Sequence, residues 1–374
     1  MLLHHLNRLA LGIALVCGAQ AAHAAGFALI EQNASGLGNA YAGQAASAQD
    51  ASTIFFNPAG MSYLPDRQVV LAGHLIKPQA EFSGSSTIGG GEGGDAGDLA
   101  FVPNAYFAAR LTPDVVLGVG LNAPFGLKTE YDSTWAGRTQ AIKSELKTIN
   151  LNPSIAWKAS ESLSLGAGVS IQYAEATLTN ASPAGLVTVD GDDYGWGFNL
   201  GAIWQVGQAT RIGLAYRSEV DYTLEGTVTF SGVPALNGPV TADTTLPDSA
   251  SLSLFHKVDE RWDVLVDVTW TGWSDFDELR ILRTSGALVG VTPDNWDDSA
   301  FEYALRLSLM IKGSILTLNG FYGLENSPQL LFADPMFVLD PGILGTLGVP
   351  ALGTAASGRV CRRGSRGKPR SPGT

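Results

Sequence analysis

Five histidines and two cysteines supply all the imidazole and thiol chemistry in the 374 residues. His4, His5, His23 and Cys17 fall in the first 24 residues, which read as an export signal. His74, His256 and Cys361 then remain. A hydrolytic nucleophile needs a base beside it and a carboxylate to orient that base. Neither histidine stands in such a motif with serine and aspartate. A metal needs several ligands converging on one point, whereas the two histidines are far apart in sequence and Cys361 is alone. The expectation is no enzyme, no metal and no cofactor, with His74 and His256 as plain strand residues. A single cysteine in an exported chain also leaves no internal disulfide.

The elements that hold these residues read as strands. The chain is 45% hydrophobic and 16% charged, with 45 glycines and net charge −12. The low charge argues against a disordered chain, and the acidic balance argues against nucleic acid as a partner. The longest apolar run, Leu9 to Cys17, is far short of a membrane helix. Arg8, the run Leu9–Gly18 and the small-x-small site Ala22-His23-Ala24 make residues 1–24 a signal peptide. Beyond it, period-2 alternation recurs in eleven runs. They are Arg67–Ile76, Phe101–Arg110, Val115–Phe125, Thr148–Trp157, Leu163–Tyr173, Tyr194–Val206, Arg211–Phe230, Thr244–Val258, Trp262–Arg283, Phe301–Ile311 and Ile315–Leu324. Several match the 9–11 residues of a tilted barrel span. Trp157, Tyr173, Trp196, Trp204, Tyr216, Trp262, Trp270 and Trp273 sit near strand ends, where a membrane–water boundary favours aromatic rings. The same aromatics also suit the core of a β-sandwich. Ala25 to Tyr63 lacks alternation, is rich in small residues with helical patches such as Gly38–Gln49, and ends at Asn57-Pro58-Ala59. It reads either as a segment packed inside a barrel or as a surface arm.

A series of motifs then carries a resemblance. Ala25-Gly26-Phe27-Ala28-Leu29-Ile30-Glu31-Gln32 is followed by Ser35-Gly36-Leu37-Gly38-Asn39-Ala40-Tyr41-Ala42-Gly43 and Asn57-Pro58-Ala59. Phe101-Val102-Pro103-Asn104, Asn122-Ala123-Pro124-Phe125-Gly126-Leu127, Leu151-Asn152-Pro153-Ser154, Gly195-Trp196-Gly197-Phe198-Asn199, Tyr216-Arg217-Ser218, Leu246-Pro247 and Trp270-Thr271-Gly272-Trp273-Ser274 come next. In this order, over residues 1–310, the chain resembles the outer-membrane long-chain fatty acid transporter family (FadL-like). The resemblance implies an all-β fold, a transmembrane antiparallel β-barrel of 14 strands plugged by a small N-terminal hatch. About eleven strands are recognisable. The domains expected are a signal peptide (1–24), the hatch (25–63), the barrel (64–330) and an aberrant, disordered or frame-shifted tail (331–374).

The function implied is passive uptake across the Gram-negative outer membrane. The ligand would be captured outside and released laterally through a kinked third strand. The partners implied are a long-chain fatty acid or other hydrophobic small molecule, outer-membrane lipid and lipopolysaccharide, and the barrel-assembly machinery. The resemblance places ligand binding at Ala25, Gly26 and Phe27, with hatch packing as the plainer role of Phe27. It places a hatch gate facing the kinked strand at Asn57, Pro58 and Ala59, with a plain turn as the alternative. Asn122, Pro124 and Gly126 fall at the strand kink, or simply at the strand's end. Fatty-acid-transporting members set basic residues in the pocket, but the corresponding regions here hold Glu175, Asn180 and Asp297. A carboxylate is costly to bury without a cation, so a neutral aromatic or aliphatic hydrocarbon is the alternative ligand. Arg217 and Arg306 could still meet an anion, against a role in wall or loop.

Two regions stand apart. Asp190–Asp193 reads as an acidic loop, with a divalent-ion bridge to lipopolysaccharide as the second reading. After about Leu330 the alternation ends, and residues 357–374 hold six basic side chains and no acidic one. A shifted reading frame explains that text, against a genuine extension. The readings from other classes are a lipid hydrolase in a barrel, a surface receptor or adhesin, and a truncated non-functional barrel.

Overall fold

The computed structural model describes residues 27–273, 279–286, 288–291, 302–311 and 314–322. The signal (1–24), Ala25, Gly26, Asp297 and the tail (331–374) lie outside the described residues, as does the chain's second compact unit, Asp334–Thr374.

Among the described residues all pairings between strands are antiparallel and all strands belong to one sheet. In chain order they begin with β1 (Arg67–Ile76), β2 (Ala100–Thr112), β3 (Val115–Asn122), β4 (Gly126–Glu130), β5 (Lys143–Lys158) and β6 (Leu163–Ser182). Next come β7 (Gly185–Val206), β8 (Thr210–Arg217), β9 (Val220–Phe230), β10 (Gly238–Leu246) and β11 (Ser249–Lys257). The last described are β12 (Trp262–Thr271), β13 (Arg280–Arg283), β14 (Leu288–Val291), β15 (Glu302–Ile311) and β16 (Ser314–Tyr322). Eleven of them follow one another edge to edge, in the order β1-β2-β3-β5-β6-β7-β8-β11-β12-β15-β16. Each of the eleven alternating runs contributes one strand to this wall. The remaining five are additions: β4 lies on β5, while β9, β10, β13 and β14 extend the sheet from the upper half of β7.

The wall is inverted relative to a soluble sheet. On β5 the buried face is Thr148, Asn150, Asn152, Ser154 and Ala156. The opposite face shows Ile149, Leu151, Ile155 and Trp157 to the outside. On β7, Tyr194, Trp196, Phe198, Leu200 and Trp204 are exposed, whereas Asn199 and Ile203 are buried. Such rows are unfavourable in water and are what hydrocarbon requires. Tyr194 to Trp204 spans about ten steps of ~3.3 Å at ~40° tilt, a rise of about 25 Å that matches the apolar band of a membrane barrel. Tyr173 and Tyr194, with ring centroids 4.9 Å apart, mark one edge of the band, and Trp157 and Trp204 the other. Trp273 does not join these belts: it is fully buried on the inner side.

Inside the wall lie three single-turn helices, α1 (Ala34–Leu37), α2 (Gln44–Ser47) and α3 (Thr53–Phe56), and a 3₁₀ turn, η1 (Pro58–Tyr63). The helical patch expected at Gly38–Gln49 is broken, because Ala40, Tyr41 and Gly43 take φ of 48°, 61° and 69°. Left-handed backbone at Ala40 and Tyr41 is strained and is held by Tyr41 Oη donating to Asn33 O at 2.9 Å. The inner wall makes room with glycines: a Cβ at Gly166 would overlap Ala59 N, and one at Gly213 would overlap Ala45 O.

Candidate ligand pocket and wall gap

The third strand breaks between Asn122 and Gly126. β3 pairs with β5 up to Asn122↔Asn150, and pairing resumes on β4 at Gly126↔Lys147. One extra residue therefore stands on the β3–β4 side, which is a bulge. Pro124 has no N–H to give a ladder. The backbone of Phe125, outside the ladder, is taken up by Thr148, whose Oγ1 accepts from Phe125 N at 3.0 Å and donates to Phe125 O at 2.7 Å.

The bulge turns β4 away from β2. The β2–β3 ladder stops at Ala105↔Leu121, and β4 pairs with no wall strand except β5. A gap in the wall results, at the depth of Tyr173 and Tyr194. The N-terminal segment lies in it. Ala28 forms an antiparallel bridge with Phe125, with Leu29 N donating to Pro124 O at 2.8 Å and Gly126 N to Phe27 O at 2.9 Å. Gln32 Nε2 donates to Ala123 O at 3.1 Å, and Asn104 Nδ2 of β2 donates to Glu31 O at 3.0 Å. The segment thus bonds to both sides of the gap. Above it, Gly97 bridges Thr129 and Glu130 N donates to Ala96 O at 2.9 Å. Asp95 orders that loop by accepting from Ala80 N and Gly97 N, which hold its carboxyl below the usual value.

Phe27 turns its ring inward. It packs edge-on against Phe125 at 6.0 Å and Trp273 at 4.9 Å between centroids. Val220, Tyr222 and Leu246 complete a buried cluster around them. Beyond it, toward the long-loop side, a small half-open cleft is lined by Ala176, Leu178, Leu224, Val240 and Ile281. Ala176 and Leu224 border both spaces, so the apolar surface is continuous.

The other expected residues separate. Asn57 is fully buried, and its Nδ2 donates to Ala45 O (2.7 Å), Ala202 O (3.1 Å) and Leu214 O (3.3 Å) while its Oδ1 accepts from Ala59 N (3.0 Å). Asn57–Ala59 therefore seat on β6, β7 and β8, and do not face the kinked strand. Ile54 and Met61 do, against Gly118 of β3. Glu175 is exposed on the outer face of β6, and Asn180 donates to Thr139 O. Arg217 points inward, donating to Ser170 Oγ at 2.9 Å and Phe55 O at 3.0 Å with its guanidinium 4.4 Å from the Phe55 ring centroid. Arg306 lies opposite Asp267 in register. His74 is buried on β1, and His256 pairs with Thr210. Asp190–Asp193 is not a loop but part of β7, where Asp190 accepts from Thr227 and Asp193 from Thr223 N. Gln32 closes the N-terminal motif, whereas Thr148 and Tyr222 carry no signal beyond the alternation of their strands.

An antiparallel wall with a lipid-facing apolar band, an inner polar face and a plug defines an outer-membrane β-barrel. The comparisons agree. The family of outer membrane protein transport proteins (OMPP1/FadL/TodX) matches residues 15–306. Outer membrane protein P1 of Haemophilus influenzae is 33% identical, over 73% of this chain and 71% of the relative. A long-chain fatty acid transport protein of Escherichia coli is 30% identical, over 80% and 76%. Among solved structures, a Pseudomonas aeruginosa FadL homologue superposes with a TM-score of 0.69 at 22% identity, covering 82% of each chain. The Pseudomonas putida toluene transporter TodX gives 0.53 at 18%, over 83% and 86%. The chain belongs to the OMPP1/FadL/TodX family, outer-membrane transporters of hydrophobic compounds.

Proposed function

We propose that this protein is a passive conduit that takes up hydrophobic molecules without a charged head and releases them sideways into the bilayer. Residues 25–63 act as its hatch, 64–330 as its wall, and residues 1–24 as the export signal. Phe27 contacts ligand, and Ala25 and Gly26 belong to the same ligand-binding segment. Asn57, Pro58 and Ala59 seat the hatch, and Asn122, Pro124 and Gly126 shape the kink. The observation that carries the reading is that one residue serves both pocket and gap: the Phe27 ring fills the aromatic cluster while its carbonyl holds Gly126 N at the bulge. A ligand that takes the ring's place pulls on the segment closing the wall. Lateral exit suits the chemistry, because each CH₂ moved into water costs about 0.8 kcal/mol. Coupling requires that ligand prefer the open arrangement. The apolar cluster favours a neutral ligand over a fatty-acid anion, since a buried carboxylate needs a cation and Arg217 is turned to Ser170 and Phe55.

Ala28 and Phe125 form the close, non-hydrogen-bonded kind of pair, about 4.5 Å between Cα atoms, within disulfide reach. Ala28→Cys with Phe125→Cys, in a Cys361→Ser background, gives a reversible lock. Uptake of toluene and dodecane by a transporter-deficient strain should fall at least tenfold under oxidation and return with reductant. Equal uptake in both states would refute lateral release at this gap.

A further inference from the structure

The gap in the wall is closed at both ends, and the two ends share one register. Below it, the β2–β3 ladder stops at Ala105↔Leu121. Carried upward, that register brings Gly97 opposite Thr129, and there the two sides are bridged again. Lys128 pairs with Asp98 beside that bridge. Residues 98–104 on one bank and 122–128 on the other are thus equal stretches, and among the described residues no backbone pairing joins them. Banks of equal length that are fixed at both ends cannot slide past each other. They can only bow apart into a lens. At about 3.3 Å per residue the lens is roughly 25 Å long, so its width decides what passes.

The lower end cannot be closed by the ladder alone. Its continuation would set Asn104 against Asn122 and Pro103 against Ala123, and Pro103 has no N–H to give. Gln32 of the hatch supplies the tie instead. Its Nε2 donates to Ala123 O at 3.1 Å on one bank, and its Oε1 accepts from Tyr106 Oη at 3.0 Å on the other. Both side chains are buried. Tyr106 Oη is also in hydrogen-bond contact with the Asn122 side chain, and its ring lies against Gly120 of β3, where a Cβ would come within 3.0 Å of it. A second bond from Gln32 Nε2, to Leu29 O at 2.8 Å, fastens the flap of residues 27–31 to the same point. One buried amide therefore joins both banks and the flap.

We propose that Gln32, held by Tyr106, is the sill of the lateral exit: a specificity-determining residue that keeps the banks together beneath the flap and limits the girth of the ligand that leaves. The flap swings about it. This rests on the conduit reading above and adds a limit on ligand shape. The test is uptake of tritiated decane and adamantane, a chain and a cage with the same number of carbons, by a transporter-deficient strain, with the vector-only strain subtracted. Wild type should take up decane at least tenfold faster than adamantane. Tyr106→Phe cuts the tie to β2 and leaves the flap's own bonds in place. It should raise adamantane uptake at least fivefold and keep decane within twofold. In a Cys361→Ser background, Ala105→Cys with Leu121→Cys is an in-register pair within disulfide reach. Oxidising it should return Tyr106→Phe to the wild-type ratio, a rescue that general loosening of the fold would not show. The same pair in otherwise wild-type protein should leave decane uptake within twofold when oxidised, because a sill does not move. A tenfold loss there, equal wild-type uptake of cage and chain, or an unchanged ratio in Tyr106→Phe would overturn the sill and leave the conduit standing. No uptake of either probe by wild type would overturn both. The oxidised pair and the wild-type ratio decide the matter even where Tyr106→Phe fails to fold.

Discussion

Asn57 offers a direct test of how the hatch is held. Its amide reaches Ala45 within the hatch and the carbonyls of Ala202 and Leu214 on β7 and β8, while its Oδ1 caps Ala59 N. Asn57→Ala removes two donated hydrogens, worth about 1 kcal/mol each net, and strands a buried N–H at about 1–3 kcal/mol. The sum, about 3–5 kcal/mol, multiplies the population of unseated hatch by about 10²–10⁴. The wall ladders of β6, β7 and β8 do not depend on this side chain. Amide hydrogen exchange in lipid should therefore accelerate by about two to four decades over residues 44–63 and stay within about threefold over β5 to β8. Asn57→Asp should be worse than Ala, because an acceptor-only carboxylate then faces three carbonyl oxygens. Unchanged hatch exchange would refute the seating argument. So would loss of the wall's heat-modifiable gel band along with hatch protection, since that would make hatch and wall one cooperative unit.

Other outcomes follow from the same geometry. Thr148→Val keeps the shape but strands both Phe125 backbone groups; it should cost about 2–4 kcal/mol locally, read as faster exchange at Phe125 and Gly126 with β6 unaffected. Leu200→Arg, in the middle of the apolar band, should lower stability in lipid by about 2–4 kcal/mol by urea titration, whereas Leu186→Arg beyond the band should cost about 0–1 kcal/mol. Equal shifts would refute the placement of the membrane. Gly213→Ala should displace Ala45 and raise exchange over 44–47 without changing the β8–β11 pairing. The folded carboxyl of Asp95 sits below its ordinary 3.8, so the stabilisation it gives is complete above that pH and is lost as pH falls through the lower folded value. Protection of Ala80 and Gly97 should hold from pH 7 to 5, fade only below about pH 4, and be absent at neutral pH in Asp95→Asn.

The wall was legible and its upper extensions were not, for one physical reason. Alternation reports that a strand has two unlike faces, and it does not report where one strand stops and the next begins. Arg211–Phe230 alternates throughout, yet it holds β8 and β9, which part at Ser218-Glu219 and pair with opposite halves of β7. Thr244–Val258 and Trp262–Arg283 likewise each join a wall strand to a piece of the upper sheet. Asp190–Asp193 read as a loop because four polar or small residues in a row interrupt the pattern. In the structure they lie above the band, where both faces of a strand meet water and carboxylates cost nothing to expose.

The pocket was legible only in its first residue. Phe27 stands out through its motif, whereas Phe125, between β3 and β4, and Trp273, just past β12, meet it from far along the chain. Trp273 looked like an interface aromatic because a tryptophan at a strand end has the same sequence signature whether its ring faces lipid or lumen. What separates the two is parity, and parity is countable. The outward row of β7 runs through Tyr194, Trp196, Phe198 and Leu200, so Gly195, Gly197 and Asn199 must face inward. Applying the same count to β5 and β6 turns Asn150 and Gln172 inward before any register is known. In a membrane wall the polar residue in an apolar run is the informative one, since lipid forbids it the outer face. It must face the lumen, and wherever such residues lie level on neighbouring strands they form a polar row, as Asn122, Asn150 and Gln172 do across β3, β5 and β6.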